Sequence, residues 1–268
     1  MATIVTHFSP DLDGLMSIWL LKRFGGLADA DLAFVVAGQT IDGLPADHDP
    51  AVVHVDTGGG RFDHHQPEVA GPDVCAAKLV WQAVAPQDEA LRRMVAYVTA
   101  VDNAYPGQRA AAQGPFTLLG LIWGNNMLHP NPAEAVESIL PSFDAWYAWN
   151  KECVELEHQF VNRIEFQTRW GKALAFEGDQ GGSRALAWEH GAIIFVRRTS
   201  RGWLEVSARS DAGIDLTPAY LRVREADPAA PWFLHPSKRL LLCGSPKSPI
   251  DRPSRLTLRE LVDVLRQV

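Results

Sequence analysis

The sequence predicts an α/β fold: an N-terminal parallel-sheet domain over residues 1–141, a helical connector over 142–170 and a smaller C-terminal α+β domain over 171–268. Three observations carry this expectation. Short apolar runs alternate with a helical pattern near the start of the chain, which favours parallel strands. Residues 142–170 form one long helical stretch rich in aromatic residues, among them Phe143, Trp146, Tyr147, Trp149, Phe160, Phe166 and Trp170. From Gly171 onward the texture changes to short β-rich runs separated by glycine-containing turns, as in hairpins or a meander.

In chain order, Thr3 to Thr6 reads as a first strand and residues 14–24 as a helix apolar enough to be buried on most sides. Leu32 to Gly38 and Val52 to Asp56 read as the next two strands. A long helical pattern covers 74–101 and breaks near Pro86, because proline lacks the amide that a helix interior needs. Residues 107–132 are punctuated by Pro115, Asn125, Asn126, Pro130 and Pro132, and read as loops and short helices. In the last third, strands are expected at 173–176, 184–188, 192–197, 204–209 and 240–243, with a closing amphipathic helix over 256–265.

Composition narrows the function classes. No apolar run approaches the roughly 20 residues that a bilayer-spanning helix needs, and the first residues lead straight into a strand pattern rather than a secretory leader. A cytoplasmic protein without a membrane partner is expected. Cys75, Cys153 and Cys243 are odd in number, far apart and in no paired motif, so they read as buried apolar residues in a reducing compartment. Net charge is −7, divided as −11 over residues 1–170 and +4 over 171–268. That balance argues against a broad basic face for long duplex nucleic acid and suits a small or short phosphorylated substrate. The oligomeric state stays open.

The chemistry concentrates at the ends of the expected elements. An apolar run, Val52 to Val55, delivers Asp56 to a strand end; three glycines follow, and Asp63, His64 and His65 then stand together. Carboxylate with imidazole and no nearby thiolate suits Mn2+, Fe2+ or Zn2+ in a reactive site rather than a structural zinc cluster. His7, Asp11 and Asp13 occupy the first strand-to-helix junction, where open α/β sheets commonly build sites. An N-cap role explains one of those aspartates and leaves His7 and the other aspartate over. Asp102 ends a helix, where the dipole disfavours a carboxylate unless a cation is present.

These segments resemble the DHH phosphoesterase superfamily: His-x-x-Pro-Asp-x-Asp-Gly at 7–14, Val-Asp-Thr at 55–57, Asp63-His64-His65, and Asp102. The interval around Phe62 to Gln66 also resembles the exonuclease-like branch named for melanocyte proliferating gene products. The resemblance implies a DHH-like metal-binding domain with two divalent cations, usually Mn2+, with Mg2+ as the alternative. His7, Asp11 and Asp56 would hold one ion, and Asp13, Asp56, His64 and Asp102 the other, with Asp56 bridging. His65 would face the substrate phosphate and Asp63 would orient a histidine.

Over the C-terminal third the resemblance rests on Val206 to Ser210, and the glycine-rich Gly-Gly-Gly-His stretch of the companion domain is absent. Arg209 and His235, then Lys238, Arg239 and Lys247, are the expected substrate-phosphate contacts. The implied activity is two-metal hydrolysis of phosphodiester bonds in a short nucleic acid or dinucleotide. The alternatives are a phosphomonoesterase or pyrophosphatase acting on a small nucleotide or polyphosphate, and a non-catalytic nucleotide-binding regulator.

Overall fold

The computed structural model of the protein describes residues 2–104 and 117–268. The chain divides into two compact units, one up to Lys151 and one from Glu152 to Val268. The fold is mixed α/β, with a three-stranded parallel sheet in the first unit and a mixed sheet in the second.

In the first unit, strands β1 (Thr3–His7), β2 (Asp31–Val35) and β3 (Val52–His54) lie in the order β2-β1-β3, all parallel. Their carboxyl ends therefore share one edge, where the chain must turn before each crossover. Helix α1 (Leu12–Phe24) follows β1 and is buried continuously from Leu12 to Leu21, as its apolar sequence requires. Helices α2 (Ala76–Val84) and α3 (Glu89–Asp102) fill the helical pattern expected over 74–101 and part at the expected break, Pro86. The core joins Ile4, Leu15, Met16, Ile18, Leu91, Met94 and Val98.

The reading of 107–132 as loops and short helices falls partly on residues 105–116, outside the described residues. Beyond them, α4 (Leu118–Leu128) is a full helix capped by Thr117, whose side chain accepts from the Gly120 amide.

The long helix differs in extent from the expected 142–170: α5 spans Pro132–Phe160. Asn131 starts it by accepting from the Ala133 amide, and Pro132 follows at a first-turn position where its missing amide costs nothing. Pro141 lies inside the helix and does not begin it. Past Phe160, the alternating run Ile164-Glu165-Phe166-Gln167-Thr168 forms β4 and pairs antiparallel with the strand after it. The division between the units falls within α5.

The second unit has a six-stranded sheet in the order β4-β5-β6-β7-β9-β8, with β5 (Gly171–Glu177), β6 (Ile194–Arg198), β7 (Leu204–Ala208), β8 (Phe233–Leu234) and β9 (Leu240–Cys243). Among these strands β5 and β6 are the parallel neighbours. The run 184–188, expected as a strand, belongs instead to helix α6 (Ser183–Glu189): Ala185, Leu186 and Ala187 are strong helix formers, and no β-branched residue opposes them.

One sheet face packs Ile194, Val196, Leu204 and Val206 against α7 (Thr217–Ala226) and α8 (Leu258–Arg266). The other carries Leu174, Phe176 and Phe195 with Leu156 and Phe160. After β9 the chain turns at Gly244, whose φ of +86° and position against the Trp203 ring leave no room for a side chain. Among the described residues, no disulfide joins the cysteines.

Asp227 follows α7 and is buried, and one of its carboxylate oxygens accepts from both the Ser254 hydroxyl and the Arg255 amide. Asp227→Ala would leave both donors without their acceptor, and stability should fall by about 2 kcal/mol. Guanidinium unfolding followed by circular dichroism measures this; a change below about 0.5 kcal/mol would show that solvent replaces the carboxylate.

Candidate metal centre

His7 ends β1, and Asp56 stands just beyond β3 on the neighbouring parallel strand. Between β1 and α1, Asp11 takes the N-cap position and its side chain accepts from the Asp13 and Gly14 amides. Gly14 leaves this junction closely packed: a β-carbon there would stand 3.2 Å from Thr6 Oγ1 and 3.4 Å from Asp56 Oδ2. Asp13 reaches instead to α2, where its two oxygens accept from the Ala76 amide at 2.7 Å and the Ala77 amide at 2.8 Å. Asp102 closes α3, and Asn103 ties that end down by donating to the Val74 and Thr99 carbonyls.

The glycine turn brings the histidines back to the strand ends. Asp56 adopts a left-handed φ of +55°, and its amide donates to the Phe62 carbonyl across the turn. Such a conformation costs a non-glycine residue about 1–2 kcal/mol, and aspartate tolerates it better than most. Ser9 and Ala104 are left-handed as well, so three strained junctions border the cluster. Asp63 braces the turn, accepting from the Gly59 amide at 2.8 Å, and its other oxygen lies 2.7 Å from His65 Nδ1.

The side chains gather in three overlapping groups: His7 with Asp11 and Asp56, Asp13 with His64 and Asp102, and Asp56 with His64 and His65. Asp56 belongs to two sides at once, since Oδ2 lies 3.2 Å from His7 Nε2 while Oδ1 lies 3.6 Å from His64 Nε2. His64 Nε2 is also 3.6 Å from Asp13 Oδ2 and from Asp102 Oδ2. That nitrogen is buried and makes no hydrogen bond. Ligand atoms ~2.1 Å from one ion stand roughly 3.0–3.6 Å apart, so the spacing of this nitrogen from each of the three oxygens suits shared cation ligands better than hydrogen-bonded partners, and Asp13, His64 and Asp102 lie close enough together to form one such group.

The ionisation pattern has the same cause. The Asp56 carboxylate beside His64, with help from Asp102 and Asp13, pushes that imidazole up to about 9 against its burial. His7 also rises to about 9, chiefly through its hydrogen bond to Asp56. Burial pushes Asp13 up to about 8, with Asp56 and Asp102 repelling it. Asp102 rises to about 6, mainly by burial, and Asp11 rises by burial and the charge of Asp56. Burial would lift Asp56 too, but the imidazoles of His64 and His7 hold it below the ordinary carboxylate range. The site is overloaded with negative charge, and in the absence of a cation it retains protons.

The residues expected in the second unit are placed differently from one another. Arg209 follows β7 and donates through Nε to Asp211; Arg239 precedes β9 and donates to the Ser210 carbonyl. Lys238 pairs with Asp215 at 3.0 Å, and His235 Nδ1 lies 2.9 Å from Ser237 Oγ. Because Ser207 aligns with Leu240 and Leu204 with Cys243, these four share one end of the β7–β9 pair. Lys247 comes after β9, at the opposite end, and is not gathered with them.

Sequence reasoning missed the Ala76 and Ala77 amides that hold Asp13, for which the only signal is a helix start with small residues after Cys75. It also missed Leu119 and Trp123 of α4, which line a cavity of about 300 Å³ with Asp11, Asp13 and Asp102.

Among the described residues no helix is long and apolar enough to cross a membrane. No family model matches the chain, and no curated protein matches it. Among solved structures it is similar to RecJ in complex with Mn2+ from Thermus thermophilus, at 13% identity and a TM-score of 0.33, over 99% of this chain and 51% of that one. It thus spans about half the length of that protein. It is also similar to an exonuclease RecJ bound to manganese, at 14% identity and TM-score 0.33 over 99% and 89% of the two chains. A third likeness is to an uncharacterized protein from Helicobacter pylori, at 12% identity and TM-score 0.27 over 100% and 98%. Likenesses of that size leave activity to be argued from the geometry of the site itself.

Proposed function

We propose that the chain is a divalent-metal-dependent phosphoesterase of the DHH type, which hydrolyses phosphodiester bonds in a short nucleic acid or dinucleotide. The observation that carries this reading is His64 Nε2, buried, unbonded and 3.6 Å from three carboxylate oxygens. His7, Asp11 and Asp56 would hold one ion, and Asp13, Asp56, His64 and Asp102 the other. Two Mn2+ or Mg2+ ions so held would supply water activation and screening of the phosphoryl oxygens.

The protein's own residues do the rest. Asp56 turns one oxygen to each side of the cluster, fixing the two ligand groups relative to one another. The Ala76 and Ala77 amides hold Asp13 by both oxygens, so its remaining lone pairs are aimed rather than free to swing. His65 is 64% exposed and anchored through Nδ1 to Asp63, which leaves Nε2 as its contact for a phosphoryl or leaving-group oxygen. Arg209, His235, Lys238 and Arg239 are the proposed substrate-phosphate contacts in the second unit, with Lys247 a separate one. Guanidinium groups suit phosphate through paired N–H donors.

Purified protein with Mn2+ should release nucleoside monophosphate from dinucleotides or short oligoribonucleotides. Release of inorganic phosphate from mononucleotides or pyrophosphate would favour the monoesterase or pyrophosphatase reading, and nucleotide binding without turnover the regulatory one. His64→Ala and Asp102→Asn should each lower kcat by roughly 100-fold or more, while Arg209→Ala should raise KM with metal content unchanged. Metal loss in Arg209→Ala would remove it from the substrate contacts.

In the ion-free protein, Asp102, Asp13, His7 and His64 all bind protons more tightly folded than unfolded. Their stabilising contribution is therefore lost as pH rises through about 6, about 8 and about 9 in turn. Asp56 works in the opposite sense, and only as pH falls through the acidic range. A divalent ion competes for the same sites, so the rise in melting temperature on adding Mg2+ should grow between about pH 6 and about pH 8. Equal shifts across that window in thermal scans would contradict the assigned ligands.

A further inference from the structure

Leu119 and Trp123 of helix α4 line the same cavity as the carboxylates of Asp11, Asp13 and Asp102, together with the apolar side chains of Leu12, Val98 and Val101. Leu119 and Trp123 are four residues apart and so lie on one face of the helix. α4 is held firmly: Ile122 is buried in the core, Asn125 Nδ2 donates to the Ala135 carbonyl at 2.7 Å, and Ser138 Oγ donates to Asn125 Oδ1 at 2.8 Å. Trp123 nonetheless leaves 59% of its surface exposed. A fixed helix that presents an indole beside a carboxylate cluster offers a flat apolar surface, and the cavity lining includes no basic side chain among the described residues that would pair with an anion there directly.

We propose that Trp123, supported by Leu119, is the subsite for a nucleobase of the substrate, stacked on the indole while the attached phosphate sits at the acidic cluster. This rests on the reading of that cluster as a phosphoester site and deepens it. A ligand that fits must carry an anion for bound cations and a neutral planar group for the indole within one small cavity, which a nucleotide does. An alkyl phosphate offers no π face, and a second phosphate would meet only carboxylates and apolar carbon on this wall. Stacking of a base on an aromatic side chain changes affinity by roughly ten-fold when it is lost.

The test compares adenosine 5′-monophosphate with ribose 5-phosphate by isothermal titration into the full chain with Mg2+. The nucleotide should bind about ten-fold more tightly to the unsubstituted protein. Trp123→Ala should erase that preference and Trp123→Phe should retain most of it, with metal binding the same in all three proteins. Equal affinities for the two ligands in the unsubstituted protein, including no binding of either, would overturn the proposal, as would a preference that survives in Trp123→Ala. None of these readings needs turnover. A protein that stacks the base and hydrolyses nothing would keep the subsite and reject the phosphoesterase.

Discussion

Four aspartates, the buried Asp13 and Asp56, the half-buried Asp102 and the more exposed Asp11, converge near the carboxyl ends of the parallel strands, and their mutual repulsion is the constraint on which the first unit is built. An isolated ionised carboxylate is expensive to bury, and several together are more so. The chain offsets this locally in three ways. Backbone amides at the starts of α1 and α2 point at Asp11 and Asp13; His7 and His64 lie against Asp56; and protons are retained where neither suffices. Such an arrangement is poor as a stabilising device, because apolar residues in the same places would be cheaper. Its logic lies in the positive charge it can accept.

The backbone reflects the same constraint. Parallel strands put their carboxyl ends together, and the crossover turns that follow are free to differ in conformation without disturbing the sheet. Left-handed Ser9 and Asp56 occur in these turns, and left-handed Ala104 comes just after α3, each next to or within the cluster. Asp56 is the most constrained, with its amide bonded across the glycine turn and its two oxygens facing different partners. Gly58, at φ +83°, lets the chain reverse immediately after it while packing against Thr40 and His54. The glycines after Asp56 thus set the distance at which His64 returns.

Much of this was legible because polar residues at the ends of apolar runs have few other reasons to be there. His7, Asp56 and Asp102 could be located from the runs that precede them, and Asp63 to His65 from the glycines before them. What could not be read was partnership. The family resemblance implies a histidine for Asp63 to orient but does not say that it is His65, and nothing in the sequence says that Asp13 would seat the start of α2, far along the chain. The same limit applied to secondary structure. The aromatic run points to a helix from 142, whereas Asn131 and Pro132 begin it earlier and Pro141 is carried inside. The run 184–188 is short enough that apolar content alone does not separate strand from helix; there, residue propensity decides.

Trp123 was missed for a more instructive reason. Leu118 to Leu128 is strongly apolar, but it lies within the proline- and asparagine-punctuated stretch 107–132, which reads as loops and short helices, whereas it is one helix with Ile122 as its one buried residue. Burial of an apolar helix depends on what lies against it, and Leu119 and Trp123 of α4 border a cavity that the carboxylates of Asp11, Asp13 and Asp102 also line. An apolar wall beside an acidic one has no use as packing, since neither wall satisfies the other. In the proposed subsite it would serve recognition: the acidic side could select only through cations and the apolar side only through shape and π surface. The two selections are independent, so with the proposed cations and base subsite a ligand would have to meet both, and the pairing would discriminate between phosphorylated compounds in a way that the ligand cluster alone cannot.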